Sequence, residues 1–417
     1  MRSKQFLRLL RDENGARQSM VQRVYSQIKK TVADPVITIA ANSAQTDAIT
    51  TQLPGDVEIV CEPDRRDTYP AILLSCAYLA YEKKIDPGEP VVVMPIDPYA
   101  DDVFFKMIDG LGALLGGETD IDIDIALIGV KPTIPTSKYG YIVPGGGETG
   151  DNVYNVSYFV EKPDERTAGE LIKNGALWNS GVFAFRLSYI IDLIENTHHI
   201  DTYEDLLLNY QNIEKISFDY KVVENAERMA VMRYDGEWSD IGTWRTLTDK
   251  IDYSTYGSVL NESSKNTFVI NELNIPIITL GTSDIIVAAS PDGILVSDLV
   301  ESSFLKPAVD KIKNDRPMYE DRAWGNYSVL EYTNDDLIKK ITVGAGKRTD
   351  RQRHLDHDEI SVVISGAGTF ILDDEEKPIS PGDVLDVRRG RYHSIAAADD
   401  LKIVEIQLNG RFDEGDA

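Results

Sequence analysis

Cysteine and histidine are scarce in this sequence of 417 residues, and acidic residues outnumber basic ones. Two cysteines, Cys61 and Cys76, are too few for a disulfide framework or a CxxC metal site, so we expect two buried thiols in a reducing compartment. The formal net charge of −26 repels nucleic acid and anionic membrane surfaces. No run of about 18 apolar residues and no signal-peptide pattern is present. The sequence therefore predicts a cytoplasmic protein that contacts neither nucleic acid nor membrane.

The first part of the chain alternates between apolar strand-like runs and amphipathic helical segments. Strand-like runs lie at residues 36–41, 57–61, 91–95 and 125–130. Helices are predicted at residues 19–30, with Ser19 as the cap, and at 70–83, which opens on Pro70. This alternation is typical of an α/β, Rossmann-like domain with a mostly parallel sheet, which we place at residues 1–252. Ligands of such sheets bind beyond the C-terminal ends of the strands.

A different pattern follows residue 252. Residues 253–305 hold short strands separated by Asn, Gly and Pro-Asp-Gly turns, and they form a small β-rich segment. Residues 306–320 read as a connecting helix and linker. From residue 321 to 417 the strands recur with turns every 8–14 residues, which predicts a small antiparallel barrel or jelly roll.

Two carboxylates are expected at the ligand-binding edge of the first domain. Asp97 follows the buried run VVVMP, and Asp240 lies in EWSDIGTW, where Trp238 and Ile241 can anchor it. Each could instead be a turn residue or a helix cap. Together they could hold Mg²⁺, which prefers carboxylate, water and phosphate oxygens.

Further candidate ligand-binding residues occur at strand ends and turns. FVEKP places Glu161 and Lys162 side by side, and consecutive strand residues face opposite sides unless the strand bends, which Pro163 permits. The alternative is a solvated ion pair. Asn179 in NSG suits recognition of a sugar hydroxyl, and Gly140 in YGYI permits close approach of a ligand to the backbone, although both could belong to ordinary turns.

Basic residues before the second predicted helix and in the first few residues of the sequence could bind phosphate. The Arg65-Arg66 pair precedes the helix at 70–83, whose N-terminus attracts anions. Lys4 lies in RSKQF and could contact phosphate or simply be a surface residue.

Three of the five histidines fall in the predicted barrel, together with a nearby carboxylate. His354, His357 and Glu359 flank the strand ISVVISG, and His393 follows the PGD turn by ten residues. Imidazoles plus a carboxylate on two strands suit Zn²⁺ or another divalent metal.

These motifs, in this order, resemble bacterial mannose-1-phosphate guanylyltransferases. The matching segments are EPxxRxTxPAI at 62–72, the strand end at Asp97, YGYI, FVEKP, NSGVFAF and WSDIGTW. RAWGNY at 322–327 and the strands at 341–408 resemble the type II mannose-6-phosphate isomerase cupin that is often fused to them. The resemblance implies a GT-A-like nucleotidyltransferase fold followed by a cupin barrel. It also implies synthesis of GDP-mannose and pyrophosphate from GTP and mannose 1-phosphate.

The resemblance also implies roles for individual residues. Asp97 and Asp240 would hold Mg²⁺, and Lys4 would reach the reacting phosphates. The mannose phosphate would contact Glu161, Lys162, Asn179 and Gly140. The nucleotide would contact Glu62 and Arg66.

The sequence departs from the family pattern at three places. A strand and a GGxGxRLWPLS-type loop precede PKQF in the family, whereas RSKQF stands here at residues 2–6. A misplaced start codon or a clipped chain would explain this. Asp67 and Ser3 replace the family's Asn and Pro. Because the loop's backbone amides cradle the triphosphate, we expect weak nucleotide binding and a vacant central strand position. A non-catalytic protein that binds sugar phosphates or nucleotide sugars is the alternative.

The predicted barrel departs from its family as well. QRHLDHDE at 352–359 has Asp356 in place of a histidine and His357 in place of an arginine. We therefore favour a structural or oligomerising role for the barrel, which would make the chain a homo-oligomer. A metal-dependent mannose-6-phosphate isomerase is the alternative.

Overall fold

The computed structural model describes residues 4–116, 122–150, 152–312, 317–333 and 336–408. The chain divides into two compact units. One consists of Asp12–Thr46 and Leu53–Gly242, and the other of Met1–Arg11, Asp47–Gln52 and Thr243–Ala417. In the described residues, no helix is long and apolar enough to cross a bilayer.

The helices, in chain order, are α1 Met20–Thr31, α2 Ser43–Gln52, α3 Thr68–Ala77, α4 Asp102–Leu115, α5 Glu165–Lys173, α6 Leu187–His198, α7 Tyr203–Leu208, α8 Phe218–Lys221, α9 Trp244–Thr248 and α10 Lys306–Val309. The first twelve strands are β1 Leu10–Arg11, β2 Arg17–Gln18, β3 Thr38–Asn42, β4 Glu58–Glu62, β5 Pro90–Val93, β6 Pro98–Ala100, β7 Ile125–Val130, β8 Tyr141–Gly150, β9 Val153–Val160, β10 Leu177–Arg186, β11 Met229–Tyr234 and β12 Trp238–Asp240. The remaining strands are β13 Thr255–Tyr256, β14 Val259–Glu262, β15 Phe268–Asn271, β16 Ile277–Leu280, β17 Ile285–Ser290, β18 Gly293–Asp298, β19 Tyr319–Arg322, β20 Gly325–Tyr332, β21 Asp336–Val343, β22 Asp358–Ser365, β23 Gly368–Leu372, β24 Glu375–Ile379, β25 Val384–Val387, β26 His393–Ala397 and β27 Leu401–Leu408.

A six-stranded sheet of order β5-β10-β7-β11-β9-β8 forms the centre of the first unit. The predicted α/β class is confirmed, but the sheet is mixed rather than mostly parallel. Among the described strands of this sheet, only β7 and β11 pair in parallel, while β10 runs antiparallel to β5, β7 and β8. The reason is that β10 is buried on both faces, and such an apolar run does not reveal strand direction.

The strands β3 and β4 form a separate, parallel two-stranded sheet. Across the described residues, β5 pairs with β10 alone and β3 and β4 pair only with each other. The vacant central strand position stays a prediction. On β4, Val60 is buried and Cys61, the next residue, faces outward. The prediction of two buried thiols was therefore wrong for Cys61, whereas Cys76 is buried as expected.

Apolar clusters cover both faces of the six-stranded sheet. One packs α3 and α6 against the sheet, and the other packs α4 against the opposite side. The helix predicted at 19–30 is α1, where Ser19 and Gln22 form a capping box. The helix predicted at 70–83 is α3 followed by a π-helical turn at Tyr78–Glu82, and Asp67 caps it by accepting a hydrogen bond from Thr68 N.

The second unit is mostly β-structure. Strands β13, β15 and β17 pair in parallel, as do β14 and β16, so the chain coils between two small sheets. The segment predicted as a linker contains α10, and part of it lies outside the described residues. Beyond it, the sheets β19-β20-β21-β27-β22-β25 and β24-β23-β26 share one apolar core, and their pairings are antiparallel. The predicted antiparallel barrel is confirmed.

Candidate functional site

A pocket of about 180 Å³ opens in the first unit at the ends of β5, β9 and β12. Typical ligand pockets measure roughly 300–1,000 Å³, so this one can hold part of a large substrate pair. Its lining residues are Pro95, Asp97, Pro98, Lys138, Tyr139, Gly140, Glu161, Lys162, Asn179, Ser180, Gly181, Asp219, Trp238 and Asp240.

Asp97 and Asp240 meet in this pocket. Asp240 ends β12, which pairs with β6, and Ile241 N donates a hydrogen bond to the Asp97 carbonyl at 3.1 Å. A Cβ atom placed on Gly242 would lie 2.5 Å from Asp240 Oδ1 and 3.2 Å from Asp97 Oδ2. The two carboxylates therefore border the same small space, as expected from the sequence.

Backbone and aromatic contacts fix the electrostatics around these carboxylates. Gly242 N donates to Asp240 Oδ1 at 2.5 Å, which orients that carboxylate. Burial, together with the negative charges of Asp240 and Asp97, raises the pKa of Tyr139 to about 12. Tyr139 thus lies within electrostatic reach of both acids and stays protonated near neutral pH.

The Glu161-Lys162 pair also faces the pocket. Lys162 Nζ donates to Glu161 Oε1 at 2.6 Å, and the Glu161 side chain is only 4% exposed. Lys162 has a φ of 44°, in the left-handed region. This bend places the side chains of Glu161 and Lys162 on the same side. Glu161 Oε2 is buried and has no hydrogen-bond partner in the part of the chain that the structure describes.

The pKa values of this pair shift in the same direction for different reasons. Burial raises the pKa of Glu161, although the hydrogen bond from Lys162 opposes the rise. Burial alone would lower the pKa of Lys162, but the hydrogen bond to Glu161 and the charge of Asp219 outweigh it, so the net shift is upward. Lys162 therefore remains a cation inside the pocket.

Asn179 lies at an irregularity of β10 beside a left-handed glycine. The irregularity falls between Asn179 and Phe183, and Gly181 has a φ of 77°. Asn179 N donates to the Gly140 carbonyl at 2.8 Å, and Gly181 N donates to Asn179 Oδ1 at 3.0 Å. A Cβ atom on Gly140 would collide with Glu161 Oε2 and lie 2.6 Å from Phe159 Cζ, so a larger residue would force these side chains to move.

Sequence reasoning missed Asp219, which the structure adds to the pocket. Asn179 Nδ2 donates to Asp219 Oδ1 at 2.6 Å, and burial raises the pKa of Asp219 against that hydrogen bond. Asp219 lies on the four-residue helix α8, and nothing in its neighbouring sequence distinguishes it from an acidic surface residue.

Aromatic rings form another wall, which sequence reasoning found only in part. The rings of Tyr139 and Trp238 meet edge to face, with centroids 5.5 Å apart. Trp238, expected only as an anchor for Asp240, has a buried Nε1 without a hydrogen-bond partner in the described ranges. Lys138, which precedes Tyr139, was also missed.

Three residues singled out in the sequence lie outside this pocket. Tyr210 donates its hydroxyl hydrogen to Glu62 Oε2 at 2.9 Å. Arg66 donates to the Ile213 carbonyl through Nε and Nη2 at 3.0 and 2.8 Å. Lys4 begins a 3₁₀ helix, Lys4–Phe6, in the other compact unit.

A buried polar cluster lies inside the barrel of the second unit. One potential ligand atom from each of His354, Glu359 and His393 lies within 4.8 Å of the others. Glu359 Oε2 is 3.8 Å from His354 Nε2 and 3.3 Å from His393 Nε2. In the described residues, Glu359 Oε2 and His354 Nε2 are buried without a hydrogen-bond partner. Burial lowers the pKa of His354 to about 4, so this imidazole is neutral and can bind a metal.

His357 does not join this cluster. Its Nδ1 lies 2.9 Å from Asp356 Oδ1, and its ring stacks on that of His354 with centroids 4.3 Å apart. The structure thus brings together three of the four candidate metal ligands expected from the sequence, and these three residues are called the three-residue ligand set below.

Known proteins resemble both parts of the chain. The model for the nucleotidyl transferase family matches residues 4–255, and the model for the mannose-6-phosphate isomerase C-terminal family matches residues 310–417. Mannose-1-phosphate guanylyltransferase of Salmonella muenchen is 29% identical over 86% of this chain and 81% of its own length. The Escherichia coli (strain K12) protein of the same name is 26% identical over the same shares. A crystal structure described as mannose-1-phosphate geranyltransferase from Thermus thermophilus superposes with a TM-score of 0.58, at 26% identity, over 74% of this chain and 92% of that one.

Proposed function

Because the chain belongs to the nucleotidyl transferase family, we propose that it forms GDP-mannose and pyrophosphate from GTP and mannose 1-phosphate. The convergence of Asp97 and Asp240 on the pocket that holds Glu161, Lys162 and Asn179 carries the proposal. In the reaction, a phosphate oxygen of the sugar attacks the α-phosphorus of GTP in line. A new oxygen–phosphorus bond forms while the bond between the α- and β-phosphates breaks, and pyrophosphate leaves.

The pocket supplies position and charge rather than a nucleophile. The Lys162 ammonium can neutralise the sugar phosphate, and the unpartnered Glu161 Oε2 can accept a hydrogen bond from a sugar hydroxyl. Asn179 and the backbone at Gly140 would orient the same sugar. The adjoining Tyr139 and Trp238 rings would exclude water from one side.

The carboxylates of Asp97 and Asp240 are hard oxygen ligands, and their oxygens border one space, so they fit Mg²⁺. Bound there, Mg²⁺ would neutralise charge on the phosphates. The roles of Glu62 and Arg66 beside the nucleotide, and of Lys4 at the phosphates, remain proposals from family resemblance.

Substitution of the acids tests this proposal. Asp97→Asn and Asp240→Asn should each lower Mg²⁺-dependent pyrophosphate release from GTP and mannose 1-phosphate by about 100-fold or more, the usual cost of losing a preorganised charge. Asp109→Asn, at an exposed site on α4, is the matched control. Near wild-type rates in both pocket variants would contradict the proposal.

A binding measurement separates the enzyme from the non-catalytic alternative. Calorimetric titration of mannose 1-phosphate should show binding that Lys162→Met weakens. Binding of both mannose 1-phosphate and GDP-mannose, with no pyrophosphate release under any Mg²⁺ concentration, would support the non-catalytic protein instead.

We also propose that the barrel holds a divalent cation between His354, Glu359 and His393. One potential ligand atom from each residue lies within 4.8 Å of the others, and His354 Nε2 and Glu359 Oε2 are buried with no hydrogen-bond partner in the described residues. Metal content after dialysis should fall from one equivalent to none in His393→Gln. His199→Asn, at an exposed position, should retain the metal. A metal content that does not change in His393→Gln would refute the site.

Formation of fructose 6-phosphate from mannose 6-phosphate with added Zn²⁺ would support the isomerase alternative.

A further inference from the structure

The inner face of three adjacent barrel strands carries a group of buried polar side chains. Lys339 on β21 pairs in register with Glu405 on β27, and Gln407 on β27 pairs with Glu359 on β22. All four residues are at most 8% exposed. Ser361, the next inward residue on β22, is also polar and buried, whereas other inward positions on these strands, such as Ile403, are apolar.

These buried groups are incompletely satisfied by the protein. The shortest approach of the Lys339 ammonium to a carboxylate oxygen, that of Glu405, is 4.0 Å, which is beyond hydrogen-bond distance. The face of Tyr327 lies 5.1 Å from the same ammonium. Gln407 Nε2 donates to Glu405 Oε1 at 2.8 Å, but Gln407 Oε1 is buried with no partner in the described part of the chain. Among the described residues, the interior therefore offers a cation beyond hydrogen-bond distance of the nearest carboxylate and one acceptor without a hydrogen-bond partner.

This polar group is continuous with the three-residue ligand set. Glu359 belongs to both, because it lies opposite Gln407 and also faces His354 and His393. Ser361, which lies opposite Glu405, donates its hydroxyl hydrogen to Glu359 Oε1 at 3.2 Å. A small molecule beside the cation could thus also reach Lys339 and Gln407.

We propose that the barrel binds a small hydroxy carboxylate. Its carboxylate would lie between the Lys339 ammonium and the divalent cation, and a hydroxyl group would donate a hydrogen bond to Gln407 Oε1. This inference rests on the cation site proposed above.

Charge and donor number favour a carboxylate over a phosphate. A dication together with Glu359, Lys339 and Glu405 has a formal charge of about +1, which matches a monoanion. Lys339 is the one lysine or arginine that is buried among the described residues of the barrel. A phosphate dianion presents more acceptor oxygens and usually requires arginine or several backbone donors.

Calorimetric titration of the metal-loaded full chain with glycerate tests the proposal. Glycerate should bind, and Lys339→Met should weaken its affinity by about 10-fold or more without changing metal content, because a charged donor is lost. Gln407→Leu should weaken it severalfold. Lys340→Met is the control, since Lys340 is the exposed neighbour on the same strand.

Two further probes separate the ligand classes. Propionate, which lacks hydroxyl groups, should bind more weakly than glycerate, and mannose 6-phosphate should not compete with it. Binding of mannose 6-phosphate that Lys339→Met leaves unchanged would overturn the inference, as would metal-loaded protein that does not bind glycerate. Protein that takes up no metal would instead refute the cation site and this inference together, while leaving the transferase proposal intact.

Discussion

Substitution of Gly140 by alanine should damage the proposed sugar-phosphate pocket without removing a charged group. The added methyl group would lie in collision with Glu161 Oε2, 2.6 Å from Phe159 Cζ and 3.3 Å from Asn179 Cβ. Phe159 is buried and cannot retreat easily, so the Glu161 carboxylate must move. Overpacking of this kind costs about 1–3 kcal/mol.

That cost should appear in both stability and binding. We expect a lower unfolding temperature and an affinity for mannose 1-phosphate reduced roughly 5- to 150-fold, since about 1.4 kcal/mol corresponds to tenfold. Thermal unfolding and calorimetric titration measure the two effects. Gly146→Ala is the control, because a Cβ atom at Gly146 meets nothing within 4 Å. Mannose 1-phosphate affinity within about twofold of wild type in Gly140→Ala would refute the assigned pocket geometry.

Three other perturbations give separate tests of the structure. Because burial raises the pKa of Asp219, the contribution of this residue to wild-type stability falls as pH rises from the ordinary value of 3.8 through the raised one. Asp219→Asn should remove this contribution, and a difference in melting temperature between wild type and variant that stays constant from about pH 4 to 7 would contradict it. Ser19→Ala removes the capping box of α1 and should lower the free energy of unfolding in urea by about 1 kcal/mol, whereas an unchanged value would show that the cap contributes nothing. A thiol reagent should modify the exposed Cys61 in native protein and Cys76 only after denaturation, because burial raises the pKa of the Cys76 thiol; equal rates for the two thiols would be incompatible with the fold.

The sequence allowed much of the pocket to be predicted because its residues follow strand ends or lie at turns. Asp97 and Glu161 each come directly after an apolar run. Asn179 lies near Gly181, and Gly140 is itself a glycine, so a ligand can approach the backbone closely at both places. Although the sheet is mixed, these strand-end and turn positions line the same pocket. The proximity of His354, Glu359 and His393 in the barrel could be anticipated because these residues flank recognisable strands.

Other features depend on contacts between distant segments and could not be predicted. Arg66 bonds to the carbonyl of Ile213, which is 147 residues away in sequence, so no local pattern shows that its guanidinium is occupied. The direction of β10 escaped prediction because apolarity does not encode direction. His357 was counted as a ligand from its spacing alone, whereas its stacking on His354 is decided by the path of the loop.

The left-handed conformation of Lys162 has a consequence for how this site can vary among related chains. It places two consecutive, oppositely charged side chains on the same side, where Lys162 Nζ donates a hydrogen bond to Glu161 Oε1. Inserting or deleting a single residue here would rotate one member of the pair away. We therefore expect insertions and deletions between β9 and α5 to be rarer among related chains than conservative substitutions at neighbouring positions.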